Sequence, residues 1–563
     1  MGDKTSLPPV TVVQFKKGEK MGAYLMLIYA ALPLLSGLVL IKKTDDVYKA
    51  MLYSSFLGLM LYSVKIFTKA LFAERGSCSV PILGRMACDS SMQAVTEGFR
   101  LMKDIVISKL SIAAAVFVLF LMVKLICNSC ALDYINQAAD RFVKSSGRFL
   151  AVFLGISLLF SIDDYLCCVG VGAVTAGIAA RHGLSREKTA YVICLLSLAF
   201  CTMVPYSSWM PVIRSVIGTA VPAGPVFLMN LAALFGIFIV MAEVLSVQTP
   251  PTSKQRPAAT LPSDSLKVFG LLTFSAAATA AALITVNLTT DGSWSVAAAG
   301  TAGCIVLITC GIFLGIVKPD ILFPGLHDAF TDTVSLFKML LFVWMVKDIC
   351  IELLGLSGYL ITAMESAGFP PYLIPGIVYL VSSGVAFLTG TSFGTFSLFI
   401  PLAVELLGNA DNTLKAAAAA AALAGSLQSV NRPGSDVIRL TSGILHCDKK
   451  KLMAVQKQGA LFEIPVLFIG FSAAGLCSDH GLTFMLFAGS VPLIISTMVY
   501  YLYLKKAGAE DRTVPVHSAF RGVPYKRKYF TFYQKCRNLE MLYTVILLRI
   551  RQKALALYPV NFI

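Results

Sequence analysis

The stretch Ser161-Ile-Asp-Asp-Tyr-Leu-Cys-Cys-Val-Gly170 places two adjacent carboxylates inside a strongly apolar part of the chain. Apolar residues dominate positions 149–160 before it and 165–180 after it. A charged side chain at the centre of a bilayer costs roughly 2.5–3.5 kcal/mol, and a spanning helix needs about 20 residues. The stretch therefore predicts a helix broken within the membrane, with Asp163 and Asp164 facing an internal cavity. The alternative is an interfacial loop between two separate short spans.

The composition predicts an all-α polytopic membrane protein. Hydrophobic residues make up 57% of the chain and charged residues 14%, whereas a soluble domain carries about 25% charged residues. The mean hydropathy is +0.76. We predict about twelve transmembrane helices, some of them discontinuous, from apolar runs near the spanning length. The candidate spans are 22–41, 49–68, 105–127, 149–180, 189–213, 225–246, 267–287, 294–316, 334–355, 371–409, 412–445, 459–477 and 483–504.

The charged loops predict an orientation and five segments. The formal net charge is +16, and positive loops face the cytoplasm. The basic loop at 181–188 and the Pro-rich linker are therefore predicted to be cytoplasmic, and 288–293 external. Membrane orientation accounts for the charge, so we predict no nucleic-acid partner. The segments are a cytoplasmic N-terminal segment 1–20, a first transmembrane half 21–246, the linker 247–266, a second half 267–504 and a basic tail 505–563.

The basic tail and a single C-x-x-C motif do not by themselves indicate a specific function. A basic cluster beside a last span can bind anionic lipid headgroups, and the tail is either such a segment or a solvated one without a specific role. The motif Cys127-Asn-Ser-Cys130 lacks a second pair or a nearby His, so it is a weak metal signal. We predict no cofactor, and no metal beyond a transported cation.

Polar interruptions recur with the same spacing in the two halves. Pro205 follows Asp163 by 42 residues, and Pro433 follows Thr391 by 42 residues. Each unit consists of an apolar helix, a polar break, a segment of small residues and a second break with proline. Secondary transporters are often built from two inverted repeats whose broken helices meet near the bilayer midplane. We predict that architecture here, with discontinuous helices or hairpins.

The break residues suit a cation site that exchanges with protons. Burial and a like-charged neighbour favour protonation of a carboxyl, and two adjacent carboxyls titrate as a pair. Oxygen ligands suit small hard cations. The hydroxyls expected to contribute are those of Ser207, Ser208, Thr391, Ser392, Thr395 and Ser435.

Other acidic residues are weaker candidates. Asp348 follows Lys347, and Glu352 lies one helical turn further on, so the three form either an internal charge cluster or an interfacial segment. Glu243, Glu405 and Glu463 lie nearer the ends of predicted spans, and we expect them to be interfacial.

Four stretches resemble the NhaC-type Na+/H+ antiporter family. They are Asp163-Asp-Tyr165, Ser185-Arg-Glu-Lys-Thr-Ala-Tyr191, Pro205-Tyr-Ser-Ser-Trp209 and Gly390-Thr-Ser-Phe-Gly-Thr-Phe396, with Ser435-Asp436 as a shorter match. The resemblance implies a secondary active transporter, not an enzyme, that exchanges Na+ for H+ by alternating access. It implies Asp163 and Asp164 as coupling carboxylates, with Thr391, Ser392, Asn431 and Asp436 completing the site. It also implies a multi-pass protein of the plasma or inner membrane.

The sequence departs from the family at two places. Cys194 stands where members carry an Asp, and Arg432 lies in the segment where members carry Asp and His. A guanidinium pairs bidentately with carboxylates. The alternative function is therefore a cation-coupled carrier of an organic acid or amino acid, with Arg432 binding the substrate carboxylate. An intramembrane aspartyl protease is disfavoured, since Asp436 follows Pro433-Gly-Ser rather than Gly-x-Gly. A passive channel is a further alternative.

Overall fold

The computed structural model describes residues 20–44, 46–73, 80–128, 143, 145–161, 163–181, 184–204, 207–218, 221–246, 263–289, 295–366, 368–408, 410–432 and 435–510. Every regular element within these ranges is helical. The α-helices are α1 Lys20–Thr44, α2 Val47–Ala73, α3 Val80–Ser108, α4 Leu110–Asn128, α5 Ser146–Leu159, α6 Asp164–Arg181, α7 Arg186–Met203, α8 Met210–Ile217, α9 Ala223–Leu228, α10 Leu231–Ser246, α11 Ser263–Thr289, α12 Ser295–Phe313, α13 Leu322–Asp348, α14 Leu356–Ser366, α15 Ile374–Thr389, α16 Ser392–Leu406, α17 Asn412–Ser426, α18 Asp436–Ile444, α19 Lys449–Leu476 and α20 Leu482–Glu510.

Short tighter or wider turns join several of these helices. The 3-10 turns are Pro319–Ile321, Pro371–Leu373, Leu427–Asn431 and Ser478–His480, and Ile349–Leu353 is a π-helical turn. Residues 247–262 of the linker, most of the basic tail and Cys130 lie outside the described residues, and residues 263–266 begin α11. The predictions made for them stay predictions.

The all-helical class is confirmed, and several of the helices are able to cross a membrane. Within the described ranges five segments are long and apolar enough, and a sixth is added if the bent pair Ile82–Ser108 and Leu110–Ile126 forms one span. The chain is therefore a multi-pass membrane protein. The five segments are Val47–Ala73, Ala223–Ser246, Pro371–Thr389, Lys449–Leu476 and Leu482–Lys506. The number twelve stays a prediction, because many of the central helices are too short to cross alone.

The helices break at the polar interruptions of the sequence. α5 ends at Leu159 and α6 begins at Asp164, whereas α15 ends at Thr389 and α16 begins at Ser392. Gly390 ends α15 in the left-handed conformation, with φ of +69°. This conformation is costly for residues with a Cβ and common at helix C-termini. The glycine therefore explains why α15 stops there.

Three helix boundaries recur at the same interval in the two broken regions. The interval along the chain from the start of α5 to the start of α15 equals the interval from the start of α6 to the start of α16. The same interval separates the end of α7 at Met203 from the end of the 3-10 turn after α17 at Asn431. One offset therefore relates these three boundaries as well as the paired polar residues of the two breaks.

The chain divides into two compact units that do not follow chain order. The first comprises residues 1–109, 338–371 and 404–408. In it α1 packs on α2 and α14, and α2 packs on α3 and the π-helical turn. Lys65 Nζ donates to the carbonyl oxygens of Leu353 (2.8 Å) and Leu354 (3.2 Å), so a cation satisfies carbonyls where this turn ends.

The second unit comprises residues 110–337, 372–403 and 409–563 and holds both pairs of breaks. α15 packs closely against α17 and α19, while α10 packs against α7 and α20. α17 is lined by seven consecutive alanines, Ala416–Ala422, all fully buried. Small side chains let the neighbouring backbones approach closely, as is usual between membrane helices.

Candidate functional site

The first break carries the adjacent aspartates, and both are buried. Asp163 is 2% exposed and Asp164 is 6% exposed. Asp164 is the first residue of α6, where the helix dipole favours a negative charge. Asp163 precedes it, and its carbonyl accepts the hydrogen bond from the amide of Cys167 that opens the helix. The break thus places both carboxylates at the N-terminal end of one helix.

The second interruption of this half supplies donors to both aspartates. Ser208 donates from its hydroxyl to Asp163 Oδ2 at 2.8 Å, and the Trp209 indole Nε1 donates to Asp164 Oδ1 at 3.4 Å. Ser207 is also buried, but its hydroxyl donates to the carbonyl of Cys201 at 2.6 Å. The structure therefore brings Ser208 to the carboxylates and directs the Ser207 hydrogen bond to the backbone.

The second half builds its break from hydroxyls. The Thr391 hydroxyl accepts from the amide of Gly394 at 3.2 Å, which satisfies an otherwise free N–H of the first turn of α16. Thr395 donates to the carbonyl of Thr391 at 2.8 Å. The hydroxyls of Ser392 and Ser429 lie 2.6 Å apart, and Ser392 also contacts the carbonyl of Ser426 at 3.1 Å. These residues form one polar layer between α16 and the end of α17.

The 3-10 turn after α17 holds the predicted amide and guanidinium. Asn431 Nδ2 donates to Gln428 Oε1 at 2.6 Å. Arg432 donates from its guanidinium to the carbonyl of Thr389 and lies directly against Gly390. Arg432 is half-buried at the break that ends α15. Its side chain thus lies beside the backbone opening predicted to line the site.

The last predicted residues of this region begin α18. Ser435 is buried, and its backbone amide donates to the carbonyl of Arg432 at 3.0 Å. Asp436 is the first residue of α18, and its side chain lies outside the described part of the structure. The placement of Asp436 in the site stays a prediction.

An aromatic cluster connects the two broken regions. The Trp209 ring lies 4.9 Å from that of Phe393 and 6.0 Å from that of Phe396, measured between ring centroids. Both phenylalanines lie in the first turns of α16, beside Thr391 and Ser392. Since the same indole donates to Asp164, Trp209 contacts both the carboxylate break and the hydroxyl break. Sequence reasoning gave this residue only as part of a motif, without a role.

The charge cluster at the end of α13 belongs to the first unit. Lys347 Nζ lies 2.6 Å from Asp348 Oδ1, and Glu352 lies exposed in the π-helical turn that follows. The ion pair accounts for the first two residues structurally. All three belong to a different unit from the aspartates.

Two glutamates expected at the interface are buried instead. Glu243 is 2% exposed and its carboxylate pairs with Lys188 Nζ at 3.0 Å. Glu463 is 8% exposed and lies in the middle of α19. The sequence did not reveal that Glu463 is buried, because the hydropathy of an apolar run indicates the length of a segment and not the direction of each side chain.

The described residues contain no group of three or more His, Cys, Asp or Glu side chains arranged to hold a metal ion. The carboxylates and hydroxyls of the breaks are instead suited to weak, reversible binding of a hard cation. Gln428 and Ser429 complete the polar layer of the second half. Their signal was present in the sequence, as polar residues inside the second interruption.

Comparison with known proteins gives a family match that lies mostly in the second half of the chain. Residues 212–476 match the model of the Na+/H+ antiporter family. This range contains Gly390–Phe396 and Ser435-Asp436, and it begins after Asp163 and Asp164. An uncharacterized protein of Haemophilus influenzae is 24% identical over 418 residues, which cover 66% of this chain and 79% of the relative. The match confirms the family resemblance and covers its motifs at Gly390–Phe396 and Ser435-Asp436.

Proposed function

Because residues 212–476 match the model of the Na+/H+ antiporter family, we propose that the protein exchanges Na+ for H+ at Asp163 and Asp164 by alternating access. One observation carries the proposal: two adjacent carboxylates are buried at a helix break, and each accepts a hydrogen bond from a side chain of a second break. The coarser conclusion, a cation/proton antiporter in a multi-pass membrane protein, rests on the family match and the apolar helices.

The electrostatics of the pair supports exchange at this site. Buried like charges side by side are unfavourable, so one must be neutralised by a proton or a cation. The donors Ser208 and Trp209 stabilise a remaining negative charge by hydrogen bonding. A pair that holds either a proton or Na+, but not both, couples the two fluxes. The polar oxygens of Thr391 and Ser392 supply further ligands if the breaks meet around the ion.

The internal correspondence supports alternating access through inverted repeats. Three helix boundaries of the two halves recur at one constant offset. The contacts are also reciprocal: α6 of the first half packs on α18 of the second, while Trp209, just before α8, packs on α16. Each broken helix thus contacts the final short helix of the other half, or the residue that precedes it. Such crosswise packing is what two related halves sharing a central site would produce.

Sodium-driven proton movement in proteoliposomes tests the proposal. Vesicles containing a pH-sensitive dye receive an imposed Na+ gradient, with wild type compared with Asp163→Asn and Asp164→Asn. We expect proton movement in wild type and none above background in either variant. Asp46→Asn serves as the matched control. Asp46 lies between α1 and α2, where its carboxylate accepts from the Lys49 amide and pairs with Lys49 Nζ. A folded wild type without a sodium response contradicts the proposal.

Arg432 favours a second candidate function. Its guanidinium lies at the break that ends α15, where a substrate carboxylate would find a bidentate partner. In that case the protein moves an organic acid or amino acid together with a cation. Uptake of carboxylate-bearing solutes, lost in Arg432→Gln but retained in Asp46→Asn, distinguishes this function from simple cation exchange.

A further inference from the structure

A further buried carboxylate lies in the interior of the unit that holds the two breaks. Glu463 is 8% exposed and has no Lys, Arg or His in contact among the residues that the structure describes. Its carboxyl lies beside the Gln428 side chain. An isolated ionised carboxylate in an apolar interior is far too costly to persist, so the group is neutralised by a bound proton or cation.

A chain of two amides connects Glu463 to the proposed exchange site. Asn431 Nδ2 donates to Gln428 Oε1 at 2.6 Å, and the Gln428 side chain lies beside Glu463. Asn431 directly precedes Arg432, which holds the carbonyl of Thr389 at the break. A change of charge at Glu463 therefore acts on the 3-10 turn that lines the second break.

The surroundings of Glu463 are polar but carry no compensating charge within the described part of the chain. Tyr191 and Cys194 face the region from α7, and Tyr379 faces it from α15. Tyr191 packs against Gly459, one turn from Glu463 on α19. On the far side of Tyr191, Glu243 of α10 is already engaged by Lys188 and by Tyr500 of α20.

A buried amide on the same helix has no nitrogen or oxygen partner among the residues that the structure describes. Gln456 lies two turns before Glu463 on α19 and is 2% exposed. Within the described residues neither its Nε2 nor its Oε1 makes a hydrogen bond to another nitrogen or oxygen, although the side chain lies beside the Cys194 thiol. Buried polar atoms are nearly always satisfied, so this amide indicates a bound water or proton path along α19.

We propose that Glu463 is a second proton-carrying site of the exchange, which takes up one proton from one side of the membrane and releases it to the other in each cycle. This inference rests on the proposed function, and it adds one proton to the number moved per Na+. Glu243 is the matched contrast: it is also buried and lies in the same unit, but Lys188 Nζ pairs with its carboxylate at 3.0 Å.

The number of protons per cycle is measured from the balance point of exchange. Proteoliposomes with the membrane potential clamped at zero receive a proton gradient of one pH unit, and the Na+ ratio that stops net flux is found by titration. Loss of one proton per cycle shifts that ratio by about tenfold. We expect the shift in Glu463→Gln and no shift in Glu243→Gln. A balance point in Glu463→Gln equal to that of wild type overturns the inference while leaving sodium–proton exchange intact.

A measurement on the wild type covers the case in which Glu463→Gln does not fold. A carbodiimide that reacts with protonated carboxyls in apolar surroundings is added to purified protein, and peptides are mapped by mass spectrometry. We expect labelling of Glu463 that decreases as pH rises, and none at Glu243. Labelling of Glu243 with Glu463 unmodified overturns the inference. This readout needs no transport, so it stands even if the wild type proves inactive in exchange.

Discussion

The two broken regions are interrupted at corresponding places along the chain and differ in the side chains that line the breaks. At corresponding positions, related by the offset that also relates the helix ends, Asp164 of the first half is matched by Ser392, and Cys201 by Ser429. The Cys201 thiol contacts the carbonyl of Ser161 at 3.6 Å, and Arg432 donates to a backbone carbonyl at the corresponding break. Both breaks are therefore placed where helices stop, while the described side chains differ: Asp163 and Asp164 in the first half, hydroxyls and the Arg432 guanidinium in the second.

A close helix contact in the second half, at Gly425, has no glycine counterpart in the first, and this gives the largest expected effect. A Cβ on Gly425 would collide with Ser382 and lie 2.7 Å from the carbonyl oxygen of Tyr379. Ser197 occupies the corresponding place on α7 and fits there with its hydroxyl bonded to the carbonyl of Cys194. We expect Gly425→Ala to lower the free energy of unfolding by about 3 kcal/mol through overpacking, measured by thermal unfolding in detergent.

The control for this substitution is Gly443→Ala. A Cβ at Gly443 meets nothing within 4 Å in α18, so the change should be neutral or stabilising by up to about 1 kcal/mol. Equal destabilisation by both substitutions would mean that the close contact of α17 with α15 is not what sets the second half apart.

The glycine at the second break is expected to have the next largest effect. Gly390→Ala forces a positive φ on alanine and brings its Cβ to 2.6 Å from Arg432 Cδ. The left-handed conformation costs about 1–2 kcal/mol, and the contact displaces the guanidinium. In the double variant Gly390→Ala with Arg432→Ala the collision is gone, so its loss of unfolding free energy should be smaller than the sum of the two single losses. Strict additivity would show that Arg432 does not pack on this break.

The indole that joins the two regions gives a smaller, functional effect. Trp209→Phe keeps an aromatic ring against Phe393 but removes the donor to Asp164. A hydrogen bond to a charged group contributes about 1.5–3 kcal/mol, so we expect apparent Na+ affinity to change by about tenfold. Phe393→Leu is the control, because it removes ring contact and leaves the donor. An unchanged concentration dependence of flux in Trp209→Phe would separate the aromatic cluster from the carboxylates.

The helix caps differ between the halves with the smallest expected effect. α7 is capped by the neutral Ser185, which accepts from the amide of Lys188 at 3.2 Å, and α17 is capped by Asp411. The hydrogen bond from Thr413 lowers the pKa of Asp411, so its stabilisation is present above the unfolded pKa and is lost as pH falls through the folded value. Asp411→Ala should cost about 0.5–1 kcal/mol near neutral pH and less in acid.

Ser185→Ala tests the other side of this comparison. Its cost should be similar in size but independent of pH across the acidic range, since a hydroxyl does not titrate there. Thermal unfolding of both variants at neutral and acidic pH separates them. A pH-dependent cost for Ser185→Ala would mean that another group titrates at the start of α7.

The positions of the breaks were predictable, because glycine, proline and hydroxyl residues interrupt an apolar run visibly. The roles of Trp209 and Gln428 were not, since each depends on which distant helix lies opposite. Glu463 was placed at an interface because hydropathy measures the length of a segment and not the direction of a side chain within it. The number of spans also could not be derived, since the central helices are shorter than a bilayer is thick.

The alanine surface of α17 has a mechanical consequence. Helices interlock through ridges of side chains that fit into grooves, and Ala416–Ala422 form almost no ridges. If α17 slides or rotates by one residue, its alanine side chains present nearly the same surface to the neighbouring helices. Little packing energy is therefore lost during the movement. Gly425 packs closely against α15 at one end of the helix, whereas the alanine segment makes contacts that change little when the helix shifts. We expect neighbouring helices to shift along α17 with a smaller loss of packing energy than along helices with larger side chains.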